Sequence, residues 1–109
     1  MKAYKLMKLR RNGTLGPLFI NARQIIPVGE WLPAEAHSTK GFAYRPGWHC
    51  CFRPVAPHLS EKGRVWVECD VEQFRTYDRP ESQGGAWVLA ERIRINRVME
   101  PHEVEAARA

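Results

Sequence analysis

Long apolar runs, disulfide-type cysteine patterns and glycine-rich phosphate loops are all missing from this sequence of 109 residues. No apolar stretch approaches the roughly 20 residues that a membrane-spanning helix needs. The three cysteines are an odd number and two of them, Cys50 and Cys51, are adjacent, which argues against the disulfide framework of a secreted protein. No GxGxxG or phosphate-loop motif opens a helix. We therefore expect reduced thiols in a soluble, cytoplasmic protein without a membrane segment.

Acidic residues are scarcer than basic ones, and the imbalance is unevenly spread. Seventeen Lys and Arg against twelve Asp and Glu give a formal net charge of +5, and the first eleven residues contain no acid. Such an excess attracts nucleic acid and other anionic partners through counterion release. The alternative is a solvated surface with a mild positive bias. The charge therefore points to a nucleic acid or a protein as the partner, without choosing between them.

Alternation of apolar and polar residues with a period of two dominates the chain and predicts β-strands. Residues 64–74, RVWVECDVEQF, have the pattern of a strand with one buried and one wet face. Residues 86–99, AWVLAERIRINRVM, predict a second long strand after the turn signal RPESQGG. The apolar face of the second strand is expected to hold Trp87, Leu89, Ile93 and Ile95. An antiparallel pair of these strands would set three acids against two arginines: Glu68, Asp70 and Glu72 against Arg92 and Arg94.

The predicted fold class is mainly β (α+β), a small twisted antiparallel sheet or half-barrel with one or two short helices. Residues 1–100 are expected to form a single domain, and residues 101–109 a C-terminal tail or short helix. Pro101 suits the first turn of such a helix, and Glu103 suits the helix dipole. Exposed strand edges in so small a sheet make self-association into a homodimer a further hypothesis.

The segment 41–58, GFAYRPGWHCCFRPVAPH, is the richest in chemically versatile side chains. If the Pro-containing turn folds back, the possible zinc ligands are His49, Cys51 and His58, with His37 or Cys69 as a fourth. No CxxC or HxxxH spacing is present, so we predict no metal site. Cys51 beside His49 also has the residue types of a thiol nucleophile and its base. The favoured interpretation is a strand whose apolar residues enter the core, namely Trp48, Cys50 and Phe52.

A nucleic-acid surface needs basic residues interleaved with exposed aromatic rings on one sheet face. Trp66 is the most informative candidate because it lies on the otherwise charged face of its strand. The alternative for Trp66 is packing against a covering loop or the C-terminal segment. The basic and aromatic residues available for such a surface also include Arg53. The predicted binding residues are Tyr44, Arg45, Trp48, His58, Arg64, Trp66, Arg92 and Arg94.

The sequence GFAYRPGWHCCFRPVAPHLSEKGRVWVECDV, residues 41–71, is similar to the middle of small ADP-ribosyltransferase-like domains. In that family an early Arg or His holds the nicotinamide cofactor and a later Glu completes catalysis. The resemblance implies NAD as cofactor, with Trp48 and His49 matching the middle motif and Glu68 on the following strand. Arg10 matches the first element. The catalytic residues implied are His49 and Glu68; Glu91 lies in the last strand without an EXE or QXE signature.

The opening YKLMKLR and the closing GGAWVLA resemble small proteins carried by phages and mobile elements. This resemblance covers most of the chain and implies an accessory protein acting on a host or defence component. The favoured hypothesis is therefore a small basic accessory protein that binds nucleic acid or a protein partner through a basic and aromatic sheet face, with no cofactor. The alternative hypothesis is an ADP-ribosyltransferase-like domain that binds NAD.

Overall fold

The computed structural model describes residues 1–18, 23–34 and 47–109, and these form one antiparallel sheet of six strands with one α-helix. The mainly β class predicted from the sequence is confirmed. A 3₁₀ turn at Glu81–Gln83 adds a second short helical element. The strands are β1 Lys2–Leu9, β2 Leu15–Gly16, β3 Trp31–Pro33, β4 Trp48–Cys51, β5 Arg64–Tyr77 and β6 Trp87–Val98, followed by helix α1, Pro101–Arg108.

The pairings of four strands form a ring, so that the sheet closes on itself. β5 pairs with β1 on one edge and with β6 on the other, and β6 also pairs with β4. One residue pair, Tyr4 with Cys51, joins β4 back to β1. Next to this junction the Lys5 ammonium donates a hydrogen bond of 2.8 Å to the carbonyl of His49. The fold is thus a small barrel, with β2 paired to the end of β1 and β3 paired to the middle of β6.

The long β5–β6 pair has the register that the charge pattern predicts. A β-bulge between Glu68 and Cys69 shifts this register by one residue near the C-terminal end of β6. The shift leaves Asn96 without an opposite residue, and its amide donates a hydrogen bond of 3.2 Å to Asp70. The opposed acid–arginine pairs are Asp70–Arg94, Glu72–Arg92 and, beyond the bulge, Glu68–Arg97.

The predicted apolar face of β6 is wrong in its first half. Val88 and Ala90 belong to the interior cluster together with Ile93 and Ile95, whereas Trp87 belongs to a cluster on the outside. The alternation changes phase because Gln73 of β5, opposite the middle of β6, has a left-handed backbone with φ of 51°. A residue in that conformation interrupts the regular pleat. Leu89, predicted on the same face as Ile93, lies next to His49 on the outer face.

Two apolar clusters occupy the two sides of the barrel wall. The interior cluster contains the buried residues Ala3, Met7, Leu15, Ile26, Cys50, Val67, Cys69, Val71, Val88, Ala90, Ile93 and Ile95. The outer cluster contains Leu6, Cys51, Ala56, Trp66, Trp87, Met99 and Val104. A sheet covered on both sides needs a covering layer, which here comes from α1 and the 52–60 loop.

Helix α1 confirms the predicted short helix after Pro101. Glu100 and Glu103 form a reciprocal capping box at its start. Val104 is buried in the outer cluster, and Arg108 donates a hydrogen bond of 2.8 Å to the carbonyl of Pro54. Eight residues are too few for an independent helix, so these contacts stabilise it. In the three described ranges, no helix has the length and apolar character needed to cross a membrane.

Candidate nucleic-acid interface

The structure buries Trp66, and the predicted exposure of its ring is therefore wrong. Only 4% of Trp66 is exposed, and its indole N–H donates a hydrogen bond of 2.8 Å to a carboxylate oxygen of Glu61. The ring belongs to the outer cluster with Met99 and Val104. The alternative, packing against the C-terminal segment, is confirmed. Trp66 lies on a charged strand face because that face is covered locally by α1.

The arginines of β6 are matched by acids across the sheet. The guanidinium–carboxylate distances are 2.8 Å for Arg92–Glu72 and Arg94–Asp70, and 2.7 Å for Arg97–Glu68. The hydrogen bond from Arg94 lowers the pKa of the Asp70 carboxyl below its ordinary value. Because each cation faces an acid, this part of β6 carries little unbalanced positive charge. Arg64, also predicted to bind, donates a hydrogen bond of 2.8 Å to the carbonyl of Ser60.

Trp31 was not among the predicted site residues, although it lies on this same surface. The guanidinium carbons of Arg92 and Arg94 lie 5.1 and 5.0 Å from the centre of its ring. β3 places Trp31 directly opposite Arg94. A tryptophan in a three-residue strand gives no sequence signal for this contact, since the contact depends on β3 pairing with β6.

His49 and Glu68 lie on β4 and β5, two strands that pair with β1 and β6 but not with each other. Glu68 is 6% exposed, and its two carboxylate oxygens lie 2.8 Å from the Lys2 ammonium and 2.7 Å from the Arg97 guanidinium. Hydrogen bonds from both cations lower the pKa of the Glu68 carboxyl. Strand β1 lies between β4 and β5, and its Tyr4 pairs with Glu68 on one side and with Cys51, two residues after His49, on the other. Two strand spacings amount to about 10 Å, and the offset along β4 adds to the separation of His49 from Glu68. Trp48, next to His49, packs against the interior cluster, and its indole N–H donates to the carbonyl of Leu32.

The cysteines lie on both sides of the wall. Cys50 and Cys69 face the interior, as expected for core thiols, whereas Cys51 faces the outer cluster. Burial raises the pKa of the Cys51 thiol to about 12, which opposes formation of the reactive thiolate. Within the part of the chain that the structure describes, no three His, Cys, Asp or Glu side chains are grouped to hold a metal ion.

Three predicted residues, His37, Tyr44 and Arg45, lie outside the described residues. Phe52 was expected in the core, but it is 41% exposed because it follows the last residue of β4. His58 is exposed as expected, and its ring centre lies 5.6 Å from that of Trp87. The described part of the 41–58 segment therefore contributes Phe52, Arg53 and His58 to the surface.

Aromatic and basic side chains meet at a different place on the barrel, around Trp87. The guanidinium carbon of Arg79 lies 4.5 Å from the centre of the Trp87 ring and 5.5 Å from that of Tyr77. The Tyr77 hydroxyl lies 2.7 Å from Nδ1 of His49, and the two rings meet edge to face. We call this group the Trp87 site, consisting of His49, His58, Tyr77, Arg79 and Trp87.

The sheet register and two loops hold the Trp87 site in place. Tyr77, Trp87 and Cys51 lie side by side on β5, β6 and β4. The carbonyl of Gln83, in the β5–β6 loop, accepts a hydrogen bond of 2.8 Å from the Trp87 indole, and its side-chain oxygen accepts one of 3.0 Å from Arg79. Gly84 follows with φ of 98° and brings this loop against the carbonyl of Val55. The Arg79 guanidinium is thus oriented by hydrogen bonding as well as by stacking.

The arginines near the Trp87 site differ from those of β6 in their ion pairing. Among the described residues, the side chains of Arg53, Arg75 and Arg79 have no acidic partner within ion-pair distance. Arg75 is two residues before Tyr77 on β5 and pairs with Leu89 of β6. Leu89 in turn pairs with His49 of β4. Burial, with a smaller contribution from Arg79, lowers the pKa of His58 below its ordinary value. His58 is therefore neutral at pH 7, and the positive charge of the region comes from its arginines.

A groove of about 290 Å³ opens beside the Trp87 site, between the end of β4 and the β5–β6 loop. Its lining includes Cys51, Phe52, Arg53, Val55, Glu81 and Gly84. The lining thus includes Phe52, whose ring is exposed, an arginine, and a glutamate with one carboxylate oxygen 3.7 Å from the position of a Cβ at Gly85. Such a combination can contact a flat polar ring and an adjacent anionic group at the same time.

Sequence reasoning missed Tyr77, Arg79 and Trp87 as site residues. A signal was present, because Tyr77 and Arg79 are separated by one residue and alternate positions of an extended chain share a face. The criterion of interleaved basic and aromatic residues, applied to 64–74, fits residues 75–79 equally well.

Comparison of the chain with protein-family models, with curated proteins and with solved structures finds no match. The resemblances to ADP-ribosyltransferase-like domains and to phage-carried proteins therefore stay predictions.

Proposed function

We propose that this chain is a small accessory module that binds single-stranded nucleic acid through the Trp87 site and the arginines beside it. The observation that carries the proposal is the contrast between two groups of arginines. Those on β6 lie within 2.8 Å of carboxylates, whereas Arg53, Arg75 and Arg79 have no acidic partner among the described residues. Arg79 stacks on Trp87 and Tyr77, Arg75 is two residues before Tyr77 on β5, and Arg53 lines the groove beside them. Unbalanced cations of this kind are available to phosphate groups.

Stacking favours a single strand over a duplex. Trp87 is 6% exposed and Arg79 lies over its ring, so a base cannot reach the indole face. Phe52, at 41% exposure, is the ring that remains accessible beside the groove. A base must leave its helical stack to contact such a ring, which happens readily only in single strands.

The proposed role is to bind nucleic acid, without catalysing a reaction. The ADP-ribosyltransferase-like alternative needs His49 and Glu68 in one cleft, whereas the Glu68 carboxylate is held by Lys2 and Arg97. NAD binding stays a prediction that the same assay can test, with NAD added as a competitor.

The test is fluorescence anisotropy of a labelled single-stranded oligonucleotide, and of the corresponding duplex, between 50 and 200 mM salt. Three phosphate contacts predict a slope of log K against log salt of about −2, since each contact on a single strand contributes about −0.7. Tighter binding of the single strand, with this slope, is the expected result. Binding that ignores salt, or that prefers the duplex, contradicts the proposal.

A further inference from the structure

The groove contains one group that the binding of a polyanion does not explain. Glu81 contributes its carboxylate to the lining, and among the described residues this carboxylate has no hydrogen-bond or ion-pair partner. A carboxylate repels phosphate, so Glu81 weakens nonspecific binding to the arginines nearby. An ionised carboxylate also accepts hydrogen bonds and donates none. A ligand that offsets the repulsion therefore presents hydrogen-bond donors to Glu81, and on a nucleobase these donors are N–H groups.

The backbone fixes the position of Glu81. It begins the 3₁₀ turn Glu81–Gln83, and its carbonyl accepts a hydrogen bond of 3.0 Å from the amide of Gly84. Gly84 in turn touches the opposite wall, because a Cβ there would lie 2.9 Å from the carbonyl of Val55. The carboxylate thus stands on a turn that is anchored to the other side of the groove.

The hydrogen-bonding edges of the bases differ in how they fit a carboxylate. Guanine presents two adjacent donors on its Watson–Crick edge, N1–H and the exocyclic amino group, which match the two oxygens of one carboxylate. Adenine and cytosine place an acceptor beside their amino group, and thymine or uracil places one N–H between two carbonyls. Only guanine therefore forms two hydrogen bonds to a carboxylate without an opposing acceptor.

We propose that the groove selects an unpaired guanine, with its Watson–Crick edge on Glu81, its ring against Phe52 and its flanking phosphate on Arg53. This inference rests on the proposed function and adds base specificity to it. The groove volume of about 290 Å³ lies just below the roughly 300–1,000 Å³ typical of small-molecule sites, which suits one base.

The test compares thymidine heptamers that carry one central guanine, hypoxanthine, adenine or cytosine, using the anisotropy assay. Hypoxanthine is the sharpest probe because it lacks only the exocyclic amino group of guanine. We expect guanine to bind most tightly, by roughly 5- to 150-fold over adenine and cytosine, the range of one bidentate pair, with hypoxanthine in between. Glu81→Gln should abolish this preference, and Glu91→Gln, which removes the same charge from β6, should retain it.

Three outcomes of this comparison would overturn the guanine inference. Equal affinity for all four heptamers overturns the guanine inference and leaves the proposed function intact. Tighter binding of every heptamer by Glu81→Gln, with the base preference retained, also overturns the inference, because Glu81 then acts only by repulsion. Failure of the wild-type protein to bind any heptamer overturns the proposed function together with the inference.

Discussion

The burial of Trp66 makes the strongest prediction about stability, because the sequence pattern suggested the opposite environment for this ring. Trp66 is 4% exposed and contacts the covering layer formed by α1. Burying a tryptophan removes about 150–250 Å² from water, which at about 25 cal/mol per Å² corresponds to roughly 4–6 kcal/mol. Large-to-small truncations of buried tryptophan cost about 3–5 kcal/mol. We therefore expect Trp66→Ala to lower the free energy of unfolding by about 3–5 kcal/mol.

A second substitution separates the ring from its hydrogen bond. Trp66→Phe keeps most of the buried area but loses the N–H that donates to Glu61. The Glu61 carboxylate keeps its ion pair with Arg108, so it is not left without a partner. The expected loss is then about 1–2 kcal/mol, from one hydrogen bond and a smaller ring.

Urea unfolding followed by far-ultraviolet circular dichroism measures both losses. A domain of this size has a total stability of about 5–15 kcal/mol, so the alanine variant should show a much lower midpoint or be partly unfolded in buffer. A loss below about 0.5 kcal/mol for Trp66→Ala, together with weaker oligonucleotide binding, would refute the reasoning. That result would mean that Trp66 is a surface binding residue.

Three further predictions concern pH, the β5–β6 loop and thiol reactivity. The pKa values of Glu68 and Asp70 are lowered in the folded state from 4.5 and 3.8. Their contribution to stability is therefore complete above about pH 5 and is lost as the pH falls below 4. Urea midpoints measured at several pH values will show this loss. Gly84→Ala should lower the free energy of unfolding in urea by about 2 kcal/mol or more, because φ is 98° and the new Cβ would lie 2.9 Å from the carbonyl of Val55. Gly85→Ala should cost only about 1 kcal/mol, because its Cβ would have no atom nearer than 3.7 Å. Cys51 should resist a thiol reagent at pH 8 in the native protein and react in urea; fast reaction in buffer would contradict its burial.

The features predictable from the sequence are those that depend on neighbours along one strand. The period-two pattern of 64–74 gave the strand, and its alternating acids correctly indicated the pairing with Arg92 and Arg94. Pro101 correctly marked the final helix. Local signals of this kind are set by side-chain direction and backbone preference, which a single sequence contains.

The features that were missed depend on contacts between distant segments. Trp66 has the sequence environment of an exposed residue, and it is buried in a cluster that includes Met99 and, from α1, Val104. The change of phase in β6 follows from the left-handed Gln73 on the opposite strand, where no glycine or proline marks it. The Trp87 site likewise requires the register between β4, β5 and β6, which no spacing along the chain reveals.

The central claim is that the arginines beside the Trp87 site, and not the total positive charge, form the nucleic-acid surface. It is tested most directly by the salt dependence of single-strand binding for two double variants with the same net charge. Arg53→Gln with Arg75→Gln removes two proposed phosphate contacts, and Arg92→Gln with Arg94→Gln removes two arginines that already face acids. The account predicts that the first pair reduces the magnitude of the log–log slope by about 1.4 and that the second leaves it unchanged. Equal reductions for the two variants, or a larger one for the second, would contradict it.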